Sequence, residues 1–210
     1  MAKIGFISIS FARGQTVVSQ TLEKATTDLG HETFIFARMG SVWGQEKQIT
    51  KGMWISANVF AYPTYRISAT TLLRWAKSLK LDAVIFNEEM DMTLAPVLRT
   101  SGFRTIHYVD FIAQDWFSHL HIYDQLWSAT KRTFNMIIKA PMMKTRCENI
   151  GWGLNYPYLG DHEPQYDFFS NQGWLGINYR KGCDILYKAF CQIKESGLNP
   201  TLCIHTQVPS

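Results

Sequence analysis

The sequence predicts an α/β protein built on a parallel sheet with helices on both faces. Short apolar runs alternate with segments of helical periodicity along the chain, which is the pattern that parallel strands joined by crossover helices produce. Hydrophobic residues make up 46% of the 210 residues and charged residues 18%, so the chain can bury a core. Its length corresponds to between one and two domains.

The first three predicted elements are a strand, a helix and a second strand. Residues 4–9 form an apolar run typical of a buried strand. The helix that follows ends at Gly30, and the second strand spans residues 33–37. The residues predicted to pack this helix against the sheet recur at helical spacing: Val18, Leu22, Ala25 and Leu29.

The middle of the chain continues the alternation. Residues 39–52 are polar and contain glycines, which predicts a loop, and residues 53–62 hold one or two short strands ended by Pro63. Ser68 is a predicted helix N-cap, because its side chain can accept a hydrogen bond from the first turn. The remaining elements are a helix to residue 79, strands at 81–87, 104–109 and 123–128, and helices at 92–100 and 131–140.

The composition changes after residue 150, where glycine, aromatic and polar residues predict a linker. We expect one domain over residues 1–160 and the beginning of a second over residues 161–210. The second has strand segments at 166–169 and 174–175, a strand at 202–204, and a helix whose apolar face is Ile185, Leu186, Ala189, Phe190 and Ile193. This single strand–helix–strand unit of about 50 residues is marginal by itself.

The charge pattern does not favour a nucleic-acid partner. The formal net charge is +4, and Lys and Arg are dense only at residues 131–132, 139–146 and 180–181. A nucleic-acid-binding surface would carry a denser stripe. A generally basic surface and a site for a phosphorylated small molecule explain the charge equally well. The cysteines match no zinc-ligand spacing, and no apolar run reaches the roughly 18 residues of a membrane-spanning helix.

Four segments, in this order, resemble the GT-B glycosyltransferases of the retaining group that uses nucleotide-sugar donors. They are the opening strand, loop and helix that lead to Leu-Gly-His-Glu at 29–32, the strand Leu-Asp-Ala-Val-Ile at 81–85, residues 148–155, and residues 180–190. The last, Arg-Lys-Gly-Cys-Asp-Ile-Leu-Tyr-Lys-Ala-Phe, is the strongest. The resemblance implies a Rossmann-like N-terminal domain followed by a truncated second βαβ unit. It also implies sugar transfer from a nucleotide sugar to a glycan, lipid or small-molecule acceptor.

The resemblance further implies a donor-phosphate site before the helix that begins near Cys183. Lys181 is its main residue, with Arg180 and Gly182 beside it, because cations and helix N-terminal N–H groups bind phosphate. For Lys181 the alternative is a solvated lysine in a loop. Gly14 is a second predicted phosphate contact, since a glycine permits close approach of a ligand. An ordinary turn glycine is the alternative. The family often has Gly-Arg early in this loop of the second domain, whereas residues 173–178 contain no arginine, so donor binding is expected to be weaker or differently built.

Polar residues at strand ends are the candidates for the reacting sugar and the acceptor. Asp110 stands where many family members have a histidine, and it is predicted to orient a sugar hydroxyl or accept a proton, with a polar strand-end cap as the alternative. Glu88, Glu89 and Gln15 are predicted to bind the acceptor. For the two glutamates the alternative is a solvated helix N-terminus. His107 is predicted to pack rather than react. No metal and no cofactor are predicted.

The length limits what the resemblance implies for activity. The later glutamate-containing part of the second domain is absent, so we expect a fragment or shortened relative with impaired or no transfer activity alone. Its exposed sheet edge favours self-association. We expect a cytoplasmic protein, with peripheral membrane association as an alternative. Two other functions stay open: a non-catalytic sugar- or nucleotide-binding module, and an unrelated Rossmann-like protein that binds a small molecule.

Overall fold

The computed structural model describes residues 1–9, 14–39, 58–87, 89, 91–110, 117–140, 144–151, 165–174 and 182–207. The chain divides into two compact units, Met1–Tyr156 and Pro157–Ser210. The first unit holds a seven-stranded sheet, and the second holds a pair of strands with one helix.

The first unit alternates strands with helices, as strands that run in parallel require. A short 3-10 turn, Leu120–Ile122, precedes its sixth strand. In chain order the elements are β1 (Lys3–Ile9), α1 (Gly14–Asp28), β2 (Glu32–Arg38), β3 (Val59–Tyr62), α2 (Ala69–Leu79), β4 (Ala83–Asn87), α3 (Leu94–Thr100), β5 (Arg104–Val109), β6 (Gln125–Ser128), α4 (Lys131–Ile138) and β7 (Arg146–Asn149).

The seven strands are all parallel and lie in the order β3-β2-β1-β4-β5-β6-β7. The chain builds outward from β1 to β3 and then returns to the other side of β1 with β4. In open α/β sheets, ligands bind beyond the carboxyl ends of the strands at such a reversal. We therefore expect a ligand-binding site at the residues that end β1, β2, β4 and β5.

One face of the sheet is covered by α2, α3 and α4, which form its larger apolar core. Ser68 caps α2 as predicted, since the Thr71 N–H donates to Ser68 Oγ at 3.4 Å. A Cβ on Gly5 would lie 2.6 Å from both the Trp75 ring and Leu81 Cδ1, so the close approach of α2 to β1 requires a glycine here. The helix residues buried in this core include Leu72, Trp75, Ala76, Leu94, Leu98 and Ile137.

The other face is covered by α1, and the predicted packing face of this helix is wrong. Leu29 lies beyond the helix and is 77% exposed, while Leu22 is only half-buried against the second apolar cluster. The rotation of α1 follows from hydrogen bonds that Gln15 and Ser19 make with Asn87, which turn its polar side inward. The residues that α1 buries are Gln15, Thr16, Ser19 and Glu23. With helices on both faces of a parallel sheet, the predicted fold class is confirmed.

Near the end of the first unit the sequence predicts neither the 3-10 turn nor β7. This edge strand is at most half-buried and carries Arg146 and Glu148, so it lacks the apolar run that marks a central strand. The strand predicted at 123–128 is shorter, at Gln125–Ser128, and the helix predicted at 131–140 ends at Ile138. Residues 40–57, which include most of the predicted loop, lie outside the described residues.

The second unit consists of β8 (Phe168–Trp174), α5 (Cys183–Glu195) and β9 (Leu202–Gln207), with the two strands parallel. The two strand segments predicted around residues 171–173 are one strand, because Asn171 and Gly173 bracket a bulge rather than a turn. Thr201 donates from its backbone and its hydroxyl to Asp167, at 2.7 and 2.8 Å, and holds the pKa of that carboxyl below its usual range. No residue of α5 is buried.

No helix in the described part of the chain combines the length and the apolar character needed to cross a membrane.

Candidate functional site

Asn87 is the centre of a buried polar cluster at the carboxyl end of β4. Its side-chain Nδ2 donates to the Gln15 carbonyl oxygen and to Ser19 Oγ, both at 2.8 Å. The Gln15 Nε2 donates in return to the Asn87 carbonyl oxygen at 2.5 Å. These bonds join residues about seventy positions apart and fix the first turn of α1 beside the end of β4. Gln15, a predicted acceptor ligand, is therefore mostly buried and its amide nitrogen is already occupied.

Gly14 is the exposed first residue of α1, one position before this cluster. Its backbone does not adopt the left-handed conformation. Among the described residues, nothing lies within 4 Å of the position that a Cβ would take. Neither packing nor backbone conformation in that part of the chain calls for a glycine here. Gly14 leaves open space beside the first turn of α1, where the predicted phosphate contact would lie.

Arg38 and Glu89 form a buried ion pair on the α2 side of the same sheet edge. Arg38 Nη1 lies 2.8 Å from Glu89 Oε2, and the two side chains are 1% and 4% exposed. The Tyr65 ring lies over the Arg38 guanidinium at 4.2 Å, and the Asp91 N–H donates to Glu89 Oε1 at 2.9 Å. Glu89 thus ties the segment after β4 to the end of β2. It does not lie in a solvated helix turn, the alternative considered for it, and Glu88 is outside the described residues.

Sequence reasoning missed Arg38, although a signal was present. Arg38 follows four apolar residues of β2 directly and stands at a strand end that faces the predicted ligand edge. A charged residue that closes a fully buried strand must have a partner, because an isolated buried charge is costly. What the sequence does not reveal is that this partner is Glu89, which lies in a different loop.

His107 and Tyr123 pack against each other in the core beneath this edge, with ring centroids 4.6 Å apart and the ring planes tilted by 56°. Burial lowers the pKa of His107 to about 4, so its imidazole is neutral at pH 7. Burial, together with the charges of Glu89 and Asp91, raises the pKa of Tyr123, whose hydroxyl therefore stays protonated. Of the two packed positions expected for His107, core or surface, the structure shows the core, since its side chain is buried.

Asp110 directly follows β5, the strand next to β4, and is half-buried. Asn87 pairs in register with Tyr108, so Asp110 lies two residues past that level on the neighbouring strand. Gly14, Gln15, Glu89 and Asp110 therefore all belong to the carboxyl edge of one sheet. The residues predicted to contact phosphate, acceptor and reacting sugar in the first unit thus stand at one edge of the sheet.

In the second unit, Gly182 begins α5, while Arg180 and Lys181 lie outside the described residues. Gly182 has a φ of 68° and a ψ of 28°, a left-handed conformation that favours glycine. No side chain caps the helix, and the Leu186 N–H donates to the Gly182 carbonyl at 2.9 Å. The first N–H groups of α5 have the polarity that attracts an anion. Asp184 in the first turn opposes this attraction.

Among the described residues, no three His, Cys, Asp or Glu side chains are grouped so that they could hold a metal ion.

No protein-family model matches the sequence, and no curated protein matches it. Solved structures do match it. The chain is similar to the lipopolysaccharide outer core galactosyltransferase WaaB, with a TM-score of 0.62 and 13% identity over 97% of this chain and 60% of WaaB. A glycosyltransferase from Rickettsia africae matches with a TM-score of 0.61 and 10% identity, over 99% of this chain and 68% of that one.

A third match is HepE from Anabaena in complex with UDP-glucose, with a TM-score of 0.59 and 11% identity over 100% of this chain and 70% of HepE. The chain thus spans only 60% of the length of WaaB. These likenesses, together with the parallel sheet, show that the chain has the fold of the GT-B glycosyltransferases.

Proposed function

We propose that this protein takes part in the transfer of a sugar from a nucleotide-sugar donor to an acceptor. The observation that carries the proposal is the likeness of nearly the whole chain to solved glycosyltransferases, one of which holds UDP-glucose. The fold alone does not establish the chemistry. The polar residues at the carboxyl edge of the sheet are the second support for the proposed sugar transfer.

On the donor side, the diphosphate binds at the start of α5. Lys181 and Arg180 provide positive charge, and the uncapped N–H groups after Gly182 provide donors. As the bond between the sugar and the diphosphate breaks, negative charge accumulates on the leaving phosphate, and these groups stabilise it. The two cations take the place of a metal ion, so no metal cofactor is proposed. In the first unit, Gly14 is a separate candidate phosphate contact, because a glycine leaves the backbone of α1 accessible.

On the acceptor side, Asp110 orients a hydroxyl of the reacting sugar or accepts its proton. Glu88 binds acceptor hydroxyls, and Gln15 contributes only through its side-chain amide oxygen, because its amide nitrogen already donates to Asn87. Glu89 contributes by fixing the segment that carries Glu88, since both of its carboxylate oxygens already have partners in Arg38 and Asp91. The acceptor is a glycan, a lipid or a small molecule, and the reaction takes place in the cytoplasm.

The donor proposal is tested by the affinity for UDP-glucose, measured by calorimetry. We expect Lys181→Ala to weaken binding by about 10- to 100-fold, the usual effect of losing a charge-assisted hydrogen bond. Lys188→Ala is the matched control, because Lys188 is exposed on the same helix away from its first turn. Equal affinities for the two variants would exclude Lys181 from the donor site.

Transfer is tested by the release of UDP from UDP-glucose in the presence of a panel of sugar acceptors. Asp110→Asn should lower the rate while leaving the affinity for UDP-glucose unchanged, whereas Asp28→Asn, on the exposed end of α1, should change neither. If acceptor sugars raise the melting temperature and no nucleotide does, the protein is a binding module and not a transferase.

A further inference from the structure

The positive charge of this chain is concentrated in one short segment. Residues 131–146 contain five Lys or Arg residues and no Asp or Glu. Since the formal net charge of the whole chain is +4, the other residues together carry a charge of −1. This segment comprises α4, the connection after it and the first residue of β7, and it lies at one edge of the sheet.

The cations of this segment are exposed to solvent on, or shortly after, a helix that is firmly attached. Ile137 is completely buried in the core, and the Thr133 N–H donates to Thr130 Oγ1 at 3.0 Å to cap α4. Arg146 pairs with Glu148 of the same strand. Within the described residues, no ion pair involves the other four cations, all of which are exposed: Lys131, Arg132, Lys139 and Lys144.

Two of these cations stand where they oppose helix formation. Lys131 and Arg132 occupy the first two positions of α4, whose first turn contains no acidic residue. The N-terminal end of a helix carries a partial positive charge, so cations there are unfavourable. Their presence is therefore not explained by the stability of the helix, but it is explained by a negatively charged partner outside the chain.

Exposed apolar side chains accompany these cations. Met136 is 48% exposed and Ile138 is 52% exposed, on the same two turns of helix. The phosphate backbone of a nucleic acid has no apolar surface against which such side chains could pack. The interface of a membrane accepts both groups, because cations pair with lipid phosphates while apolar side chains enter the acyl boundary.

We propose that this cationic surface, formed by Lys131, Arg132, Met136, Ile138, Lys139 and Lys144, binds anionic lipid membranes. The inference does not depend on the proposed transfer activity. Binding combines electrostatic attraction to the negative surface with shallow insertion of the two apolar side chains, and the helix lies on the membrane without crossing it.

The test is co-sedimentation of the full chain with vesicles made of equal parts of phosphatidylcholine and phosphatidylglycerol. We expect binding to these vesicles and none to pure phosphatidylcholine. Each lysine or arginine near an anionic surface contributes on the order of 1 kcal/mol, so losing four should reduce partitioning by about 1,000-fold. Salt at about 0.5 M should weaken binding, since it screens the charges. The variant carries four substitutions: Lys131→Gln, Arg132→Gln, Lys139→Gln and Lys144→Gln.

A matched control separates this surface from net charge. Four exposed cations elsewhere are neutralised in the control, which also lowers the formal net charge from +4 to 0. If both variants lose binding equally, only overall charge matters and the proposed surface is wrong. The control substitutions are Arg66→Gln, Arg74→Gln, Lys77→Gln and Lys188→Gln.

The double variant Met136→Ser and Ile138→Ser tests the choice of partner. Membrane binding predicts that this variant partitions several-fold more weakly into anionic vesicles while keeping its four cations. Gel-shift titration with a DNA duplex gives the opposing measurement. Tight duplex binding that is lost in the charge variant and unchanged in the serine variant would mean that the surface recognises nucleic acid, which would overturn the proposal.

Discussion

The helices on the two faces of the large sheet are attached by different interactions, apolar packing on one face and buried polar contacts on the other. Under α2 the buried side chains are apolar, with Leu72, Trp75 and Ala76 pressed against the strands. Under α1 the fully buried helix side chains are polar, and the first turn is bonded to Asn87 at the end of β4. Apolar burial is non-directional, whereas hydrogen bonds fix both the rotation and the height of a helix.

The two faces differ in how precisely they position a helix on the sheet. A helix that is attached only by apolar contacts tolerates small shifts, while α1 is fixed at the end where its first turn meets the carboxyl edge of the sheet. The predicted ligand-binding residues Gly14 and Gln15 belong to that turn. On the α2 face, the main polar exception is Arg38 with Glu89, and it lies at the same edge.

The largest expected loss of stability comes from breaking the ion pair between Arg38 and Glu89. Arg38→Met leaves the Glu89 carboxylate buried without its counter-ion, which should lower the free energy of unfolding by about 3–5 kcal/mol. Urea denaturation measures this loss. The double variant Arg38→Met with Glu89→Leu removes both charges and should recover most of it. If the double variant is as unstable as the single one, the ion pair is not what holds this edge together.

The next largest effect is a dependence of stability on pH that originates from His107. Its pKa is about 4 in the folded protein, against about 6.5 when unfolded, so between these values the unfolded chain binds the extra proton. The stabilisation is fully present above about pH 6.5 and is lost as the pH falls through 4, by about 3 kcal/mol in total. Denaturation series between these pH values should show a shallower slope for His107→Phe than for the parent. An unchanged slope would assign the effect to carboxylates instead.

Matched glycine substitutions compare the two faces directly. Gly5→Ala places a methyl group against Trp75 and should cost about 1–3 kcal/mol of stability through overpacking. Gly14→Ala meets open space among the described residues, so stability should change by less than about 0.5 kcal/mol. Thermal unfolding of both variants is the measurement. A strongly destabilised Gly14→Ala variant would show that this glycine has a packing role.

The smallest effect isolates a single bond of the polar face. Ser19→Ala removes the oxygen that accepts from Asn87 Nδ2 and should lower stability by about 1 kcal/mol. Ser78→Ala on α2 is the control, because its hydroxyl donates to a carbonyl within its own helix and is exposed. Equal losses in urea denaturation would mean that the buried bond contributes no more than the exposed one.

Much of the fold could be predicted from local patterns. The strands of the first unit are marked by apolar runs, and Ser68 caps α2 as its position predicts. The rotation of α1 could not be predicted, because it depends on Asn87, which is distant in sequence. The edge strand β7 was missed because it carries Arg146 and Glu148 in place of an apolar run.

The sequence predicted that Glu89 and Asp110 follow strand ends, but it did not predict which residues they contact. In the structure both residues lie at the carboxyl edge of the sheet. The pairing of Glu89 with Arg38 could not be read from the sequence, since nothing local links the last residue of β2 to the segment after β4. Pairing of this kind follows from the order of the strands, which brings the ends of β2 and β4 to either side of β1.

The bonds from Asn87 to α1 have a consequence for how the molecule assembles during synthesis. Strands β1 and β2 leave the ribosome before β4 and can pair at once, but the other edge of β1 lacks the neighbour it has in the folded sheet until residues 83–87 follow. For that interval an apolar strand edge is open to pairing with other chains. The first turn of α1 also lacks its partner until then, so the segment from Met1 to Asp82 forms the framework of the sheet without forming the site.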